Sequence, residues 1–184
     1  MNPCIHFSTQ YDSPLGPITL LSDGAVLVGL YFPTQLESAR HRESWRVRKH
    51  GFDAVQKYLD HYFSGISDGD LPSLHLVGTA FQQLVWNQLL TIRFGQTRTY
   101  GEIAKAISRP TAARAVGKAI GDNPLSILVP CHRVIGRSGA LTGYAGGLDI
   151  KRWLLNHEGS LCRTALKPDT GDQREVSKIA FKFG

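Results

Sequence analysis

The sequence predicts a two-part chain: a small α/β unit at the N-terminus, then a mostly α-helical unit built around a helix-turn-helix. Three observations carry this. Residues 11–32, YDSPLGPITLLSDGAVLVGLYF, hold two apolar runs around Asp23-Gly24, a strong hairpin signal. Residues 64–80 are rich in Ser, Gly, Asp and Pro, as a linker is. Beyond them the apolar spacing becomes that of short helices, two of which are separated only by an Arg-Pro break.

Ser13-Pro14 and Gly16-Pro17 punctuate the start of the hairpin. Residues 34–50 mix Arg40, Arg42, Trp45, Arg46, Arg48 and Lys49 without a clean period, which predicts a loop or short helix leading into another strand. In 51–65, Val55, Tyr58, Leu59, Tyr62 and Phe63 recur at helical spacing, and Gly65 closes the amphipathic helix. The run TAFQQLVWNQLLTI (79–92) puts Phe81, Leu84, Val85, Leu89 and Ile92 on one stripe, with Thr79 as N-cap and Gly95 as its end. YGEIAKAIS (100–108) turns Ile103, Ala104 and Ile107 inward; Arg109-Pro110 breaks it, and TAARAVGKAIG (111–121) follows with Thr111 as cap. SILVPCHRVI (126–135) reads as a β-like stretch, 136–147 as a glycine-rich loop, and LDIKRWLLNHEG (148–159) as the last helix. The expected units are therefore 1–78, including the linker, and 79–162. The tail, 163–184, has charge but little periodicity and is expected to be mobile.

Composition narrows the function class. A hydrophobic fraction of 42% and a charged fraction of 20% are those of a globular chain. No run approaches the roughly 18 apolar residues of a membrane span, and MNPCIHFSTQ lacks the layout of a signal peptide. A cytoplasmic protein without membrane contact is expected. The three cysteines, Cys4, Cys131 and Cys162, are too few and scattered for a disulfide framework. Cys4 and His6 lie close, but no C-x₂-C or H-x₃-H pair accompanies them, so no metal is expected.

The net charge of +6 is not spread evenly. Residues 93–152 hold ten basic residues against three acidic, net +7, while the rest holds 11 against 12, net −1. A polyanion suits such a segment, nucleic acid first. Within it, Arg114 and Lys118 are four apart and share one helix face with Gly117 and Gly121, while Ala113 adds little bulk. Val116 and Ile120 lie opposite, ready for a core. A helix-interior glycine costs about 1 kcal/mol relative to alanine, so Gly117 needs a reason. Close approach to something flat and charged is one; tight packing on a neighbouring helix is the other.

The residues with reactive chemistry are in ILVPCHRVIG (127–136), where Cys131, His132 and Arg133 stand side by side. A thiol attacks as thiolate, so a base or a cation must help. Neighbouring strand residues point to opposite faces, so Cys131 and His132 cooperate only if the chain turns there; Pro130 is suited to starting that turn. A histidine base also needs its other nitrogen oriented, usually by a carboxylate. Glu158 ends the last helix, where the helix dipole does nothing for a carboxylate. It therefore needs a partner, and His132 is the candidate. Cys–His–Glu architecture also fits a hydrolase, so chemistry by itself leaves the substrate open.

PCHRVIG, with ARAVG and Asn123-Pro124 before it and TGYAGG and WLLNHEG after it, resembles the O6-alkylguanine-DNA alkyltransferases. FQQLVWNQLLTI and TYGEIA match the same catalytic domain, and DSPLGPITL is similar to the family's opening hairpin. The resemblance is dense over 79–159. It implies a ribonuclease-H-like N-terminal domain and a winged-helix-like C-terminal domain. It also implies single-use transfer of an alkyl group from O6-alkylguanine, and from O4-alkylthymine, in double-stranded DNA to Cys131, without a cofactor. His132 would take the thiol proton through a water, Glu158 would orient it, and Asn123 would brace the turn before the active site. Arg114 would fill the space of a base flipped through the minor groove. Tyr100 would crowd the adjacent phosphate and donate to the guanine. Tyr144, Ala145 and Gly146 would form the lip of the base pocket, and backbone near Val134 and Ala145 would read the base edge. Ala113, Gly117, Lys118 and Arg133 would complete the DNA contact. Some members carry a structural zinc, but Cys4 has no second cysteine nearby. A related non-repairing group lacks the reactive cysteine, which is present here. A monomer in solution is expected, with contacts between copies along DNA left open. Two other classes compete: a DNA-binding module whose Cys131 senses oxidants or alkylators, and a cysteine hydrolase with a fortuitous basic patch.

Overall fold

The structure, a computed structural model, describes residues 6–36, 44–66 and 70–160. The zinc question at Cys4, the cationic pair Arg40 and Arg42, and the tail beyond 162 fall outside them.

Two turns organise the N-terminal sheet. Strand β1 (Phe7–Ser13) pairs antiparallel with β2 (Gly16–Ser22), and β2 with β3 (Leu27–Tyr31). The Ser13-Pro14-Leu15-Gly16 stretch is itself a hairpin turn. Ser13 Oγ accepts from Leu15 N (3.1 Å) and donates to Gly16 O (2.6 Å), and Gly16 takes the left-handed backbone, φ 88°, that glycine adopts without cost. At the expected Asp23-Gly24 turn, the Asp23 carboxylate accepts from Ala25 N and Val26 N, both at 2.9 Å. After α1 (Pro33–Leu36), the short β4 (Arg46–Val47) adds parallel to β1, giving the order β3-β2-β1-β4. Helix α2 (Asp53–Phe63) contributes Val55, Leu59 and Tyr62 to the core that contains Ile18, Leu20 and Leu30.

The C-terminal half is a helical cluster. Helix α3 (Ala80–Leu89) starts at the expected Thr79, which forms a capping box with Gln82. Its inward stripe is Val85, Trp86 and Leu89. Leu84, placed on that stripe by periodicity, is 49% exposed, and Trp86 takes its place, donating from Nε1 to Ala119 O (2.8 Å). The strand β5 (Arg98–Thr99) leads into α4 (Tyr100–Ala106), where Thr99 and Glu102 form a second capping box. Helix α5 (Ala113–Gly121) begins after Ala112, with no side-chain cap. Thr111 stands one residue too early to cap it, in a turn closed by Ala112 N donating to Arg109 O (2.9 Å).

The stretch SILVPCHRVI is not a strand. Only β6 (Val134–Ile135) pairs, parallel to β5; Cys131–Arg133 form one 3-10 turn, and the residues before it form turns. The whole of 125–135 is buried. A short, continuously apolar run reports burial without fixing the period, so it fits an interior turn as well as a strand. Helix α6 (Leu148–His157) closes the fold. Among the described residues, no helix is long and apolar enough to cross a membrane.

The halves meet along the outer edge of β3. Leu30 N donates to Pro124 O (2.8 Å), and Ser126 N donates back to Leu30 O (3.3 Å). The segment leading to Cys131 thus covers a sheet edge that would otherwise stand unpaired.

Candidate active site

Asn123, at the end of α5, organises the interior turn. Its Oδ1 accepts from Leu125 N (3.0 Å), while Nδ2 donates to Val129 O (2.9 Å) and to Cys131 Sγ (3.1 Å). The loop it closes contains Ile127 at φ 69°. A β-branched residue in that region costs about 1–3 kcal/mol, and the bonds converging on Asn123 offset it.

The 3-10 turn brings Cys131 and His132 into one buried site. His132 is fully buried, with Nε2 2.7 Å from Glu158 Oε1, while its Nδ1 is buried without a hydrogen-bond partner. Glu158 is held from several sides. Arg133 donates from Nε to Oε2 (2.8 Å) and from Nη2 to Oε1 (3.0 Å); Tyr62 donates to Oε1 (2.8 Å), and Gly95 N to Oε2 (3.3 Å).

This corrects the role expected of Arg133. Only 7% exposed, it also donates to Ile92 O (2.6 Å) and is no DNA contact but the main clamp on Glu158. The DNA contact was what the family resemblance implied; the unpartnered carboxylate of Glu158 was the available signal for an interior cation.

The electrostatics assign protonation states. Burial pushes Glu158 up, but His132 and Arg133 together outweigh it and hold the carboxyl well below the usual range. Burial pushes His132 down against the pull of Glu158, so the imidazole is neutral near pH 7. With an ionised carboxylate at Nε2, the ring proton is assigned there by the hydrogen-bond network, and Nδ1 carries a lone pair. Burial raises the Cys131 thiol, with Asn123 and Lys151 opposing, so the resting group is a thiol that needs a base.

Lys151 was not anticipated. Fully buried, it donates from Nζ to Val134 O (2.6 Å) and Thr142 O (2.8 Å), and burial lowers it to about 8 against the influence of Cys131. Its spacing from Leu154 and Leu155, three and four residues on, puts it on the apolar face of α6; a lysine there was the readable sign. Arg133 and Lys151 therefore subtract two of the ten cations from any DNA-facing surface.

The remaining expected residues form the surroundings. Tyr144 is half-buried, but its hydroxyl is buried beside Cys131 and Ser126 without a hydrogen bond of good geometry, and burial keeps it neutral. Ala145 is exposed. Gly146 is buried where a Cβ would lie 2.7 Å from the Tyr144 ring and 3.1 Å from Phe32, so only glycine fits. Val134 is buried, with Lys151 on its carbonyl. Arg114 and Lys118 are exposed on α5, Lys118 paired with Asp122 at 2.9 Å, and Ala113 is half-buried. A Cβ at Gly117 would meet the Tyr100 ring at an ordinary 3.7 Å, and one at Gly121 nothing within 4 Å. Internal packing thus requires glycine at neither position. Tyr100 links the two regions: its ring lies over Gly117 and its hydroxyl donates to Thr142 O (3.2 Å) in the loop beside Lys151. Among the described residues, no group of three His, Cys, Asp or Glu is placed to hold a metal.

Comparison with known families gives two matches: "6-O-methylguanine DNA methyltransferase, ribonuclease-like domain" over residues 7–68, and "6-O-methylguanine DNA methyltransferase, DNA binding domain" over 80–160. The methylated-DNA–protein-cysteine methyltransferase of Mycobacterium tuberculosis is 50% identical over 157 residues, covering 85% of this chain and 93% of the relative. The protein of that name from Methanosarcina acetivorans is 47% identical over 150 residues, covering 82% and 96%. Mycobacterium tuberculosis OGT, solved in complex with DNA, superposes with a TM-score of 0.76 at 49% identity, covering 84% of this chain and 92% of that one.

Proposed function

The chain belongs to the 6-O-methylguanine DNA methyltransferase family, and on that premise we propose that Cys131 accepts the alkyl group of O6-alkylguanine in duplex DNA, once per chain. O4-alkylthymine, with the same alkyl–oxygen bond, is a second target. The observation that carries the reading is the neutral His132: its Nδ1 lone pair is unpartnered in the site, while its Nε2–H is fixed on Glu158.

The steps follow from the groups present. A stacked guanine is out of reach of a buried thiol, so the base must leave the duplex, at a cost of about a few kcal/mol. Arg114, exposed on α5, fills the gap from the minor groove. Lys118 and Ala113 lie along the backbone and Gly117 admits it closely; phosphate contacts of this kind carry no sequence information, which suits a search of any sequence. Tyr100 exchanges its bond to Thr142 for the phosphate and the purine. The base enters between Tyr144 and the chain at Ala145-Gly146, with backbone near Val134 and Ala145 at its edge. His132 Nδ1 takes the Cys131 proton through a water. Sulfur then attacks the alkyl carbon in line; the S–C bond forms as C–O6 breaks, and the bonding pair passes to guanine O6. The Tyr100 hydroxyl meets the developing negative charge. The thioether has no leaving group and the protein is spent.

The test is transfer from radiolabelled O6-methylguanine duplex, counted per chain. About one methyl per chain, lost in Cys131→Ser, is expected. Repeated turnover would make the protein a true catalyst of the hydrolase kind. Binding without transfer would leave a DNA-binding sensor.

A further inference from the structure

The carboxylate that orients His132 is shared between the two halves of the chain. Three donors converge on Glu158 Oε1: His132 Nε2 at 2.7 Å, Tyr62 hydroxyl at 2.8 Å and Arg133 Nη2 at 3.0 Å. Two of these sit in the 3-10 turn beside Cys131, and the third comes from α2, in the N-terminal half. We propose that Tyr62 is a positioning residue of the transfer reaction: its hydroxyl fixes the Glu158 carboxylate and restrains that oxygen's pull on the His132 proton. The inference rests on the alkyl-transfer reading of the same site.

Tyr62 is built into this position. Its ring is 3% exposed and packs edge-on against Phe94 (centroids 5.9 Å) and Phe63 (5.3 Å), with His157 tilted over it at 5.4 Å. Its backbone oxygen is held by His157 Nε2 at 2.7 Å, so α6, which ends at Glu158, grips the residue whose hydroxyl reaches that carboxylate. Burial, then the charge of Glu158, keeps the phenol protonated far above neutrality, so it acts only as a donor here. Core packing alone explains an aromatic ring at this point in α2. It does not explain a buried hydroxyl on the one oxygen that also holds the base.

The direction of its effect follows from acceptor competition. Oε1 has two lone pairs for three donors. Without the phenol, more of its acceptor strength falls on His132 Nε2–H, which favours the imidazolium and removes the lone pair needed at Nδ1. The other groups facing this pair are Arg133 on both carboxylate oxygens, Gly95 N on Oε2, Lys151 toward His132, the Tyr144 hydroxyl toward Glu158, and His157 on Tyr62 itself. None is altered by removing one phenolic oxygen.

The experiment measures the rate at which Cys131 of the full chain consumes free O6-benzylguanine from pH 5 to 9, for wild type and Tyr62→Phe, with melting temperatures alongside. Phenylalanine keeps the ring contacts. In the wild type the rate falls on acidification as His132 gains its proton. In Tyr62→Phe the midpoint of that fall moves to higher pH by about one unit, roughly a tenfold change in proton affinity and the scale of a hydrogen bond to a charged group. An unmoved midpoint overturns the inference, whether or not the rate or the melting temperature drops, because a purely structural tyrosine changes those without moving the acid limb. A wild type with no acid limb overturns it as well. Failure of wild-type Cys131 to take the benzyl group defeats the underlying alkyl-transfer reading instead.

Discussion

One side chain, Asn123, stands in for the strand that the apolar run before Cys131 does not form. Its carboxamide meets Leu125 N, Val129 O and Cys131 Sγ, joining the start of the turn to its end. In Asn123→Ala, Leu125 N–H stays buried and unpaired, at a cost of about 1–3 kcal/mol, while Val129 C=O keeps the Cys131 N–H (2.7 Å). Urea unfolding should show a stability loss of about 1–3 kcal/mol, and titration of the thiol should show Cys131 further raised, since its N–H donor is gone. A variant with wild-type stability would show that water or a shifted backbone replaces the amide. At this scale the sequence was readable where a group stood in evident need: a carboxylate at a helix C-terminus wants a cation or a histidine, and Glu158 meets His132. It was not readable where the partner is remote. Nothing near Tyr62 signals a carboxylate 96 residues away, and its ring satisfies the helical stripe by itself.

Among the elements, the helices were legible and the active-site segment was not, for one physical reason. Helices carry a period of their own and announce their caps, as Thr79 does; the 125–135 segment is buried on every side, so its apolar content is continuous and periodless. Its shape is set by Asn123, by β3 and by the 3-10 turn, all of which are tertiary. Helix α5 was legible as an exposed Arg114 and Lys118 over a buried Val116 and Ile120. Because neither Gly117 nor Gly121 is demanded by internal contacts, the small residues around Arg114 favour a partner approaching from outside. Arg114→Ala should therefore leave the reaction with free O6-benzylguanine nearly intact and slow repair of duplex DNA by more than about tenfold, since the unstacking cost of a few kcal/mol is no longer offset. Comparing the two rate constants on one preparation decides it. Equal losses on both substrates would make Arg114 structural.

Across the whole molecule, the N-terminal half grips the active site at several places. Leu30 pairs with Pro124 and Ser126, Thr34 Oγ1 donates to Gly146 O (3.0 Å), and Tyr62 binds Glu158. An event at Glu158 is thus an event in both halves, and pH is the simplest way to cause one. His132 is held below its ordinary value, so the unfolded chain takes that proton near pH 6.5 while the folded chain declines it; stability begins to fall as pH drops through about 6.5. Glu158 is also held below its ordinary value, so its contribution is full above about 4.3 and is lost as pH falls further. Both terms have the same sign, and the loss steepens on the way down. Calorimetry between pH 7 and 4 should show one transition, moving steadily to lower temperature, with calorimetric and van't Hoff enthalpies equal. Because the clamp joins the sheet to the helices, the N-terminal half has no independent melting point to reveal. Two transitions, with only one of them sensitive to acid, would mean that Tyr62 and β3 touch the active site without sharing its stability.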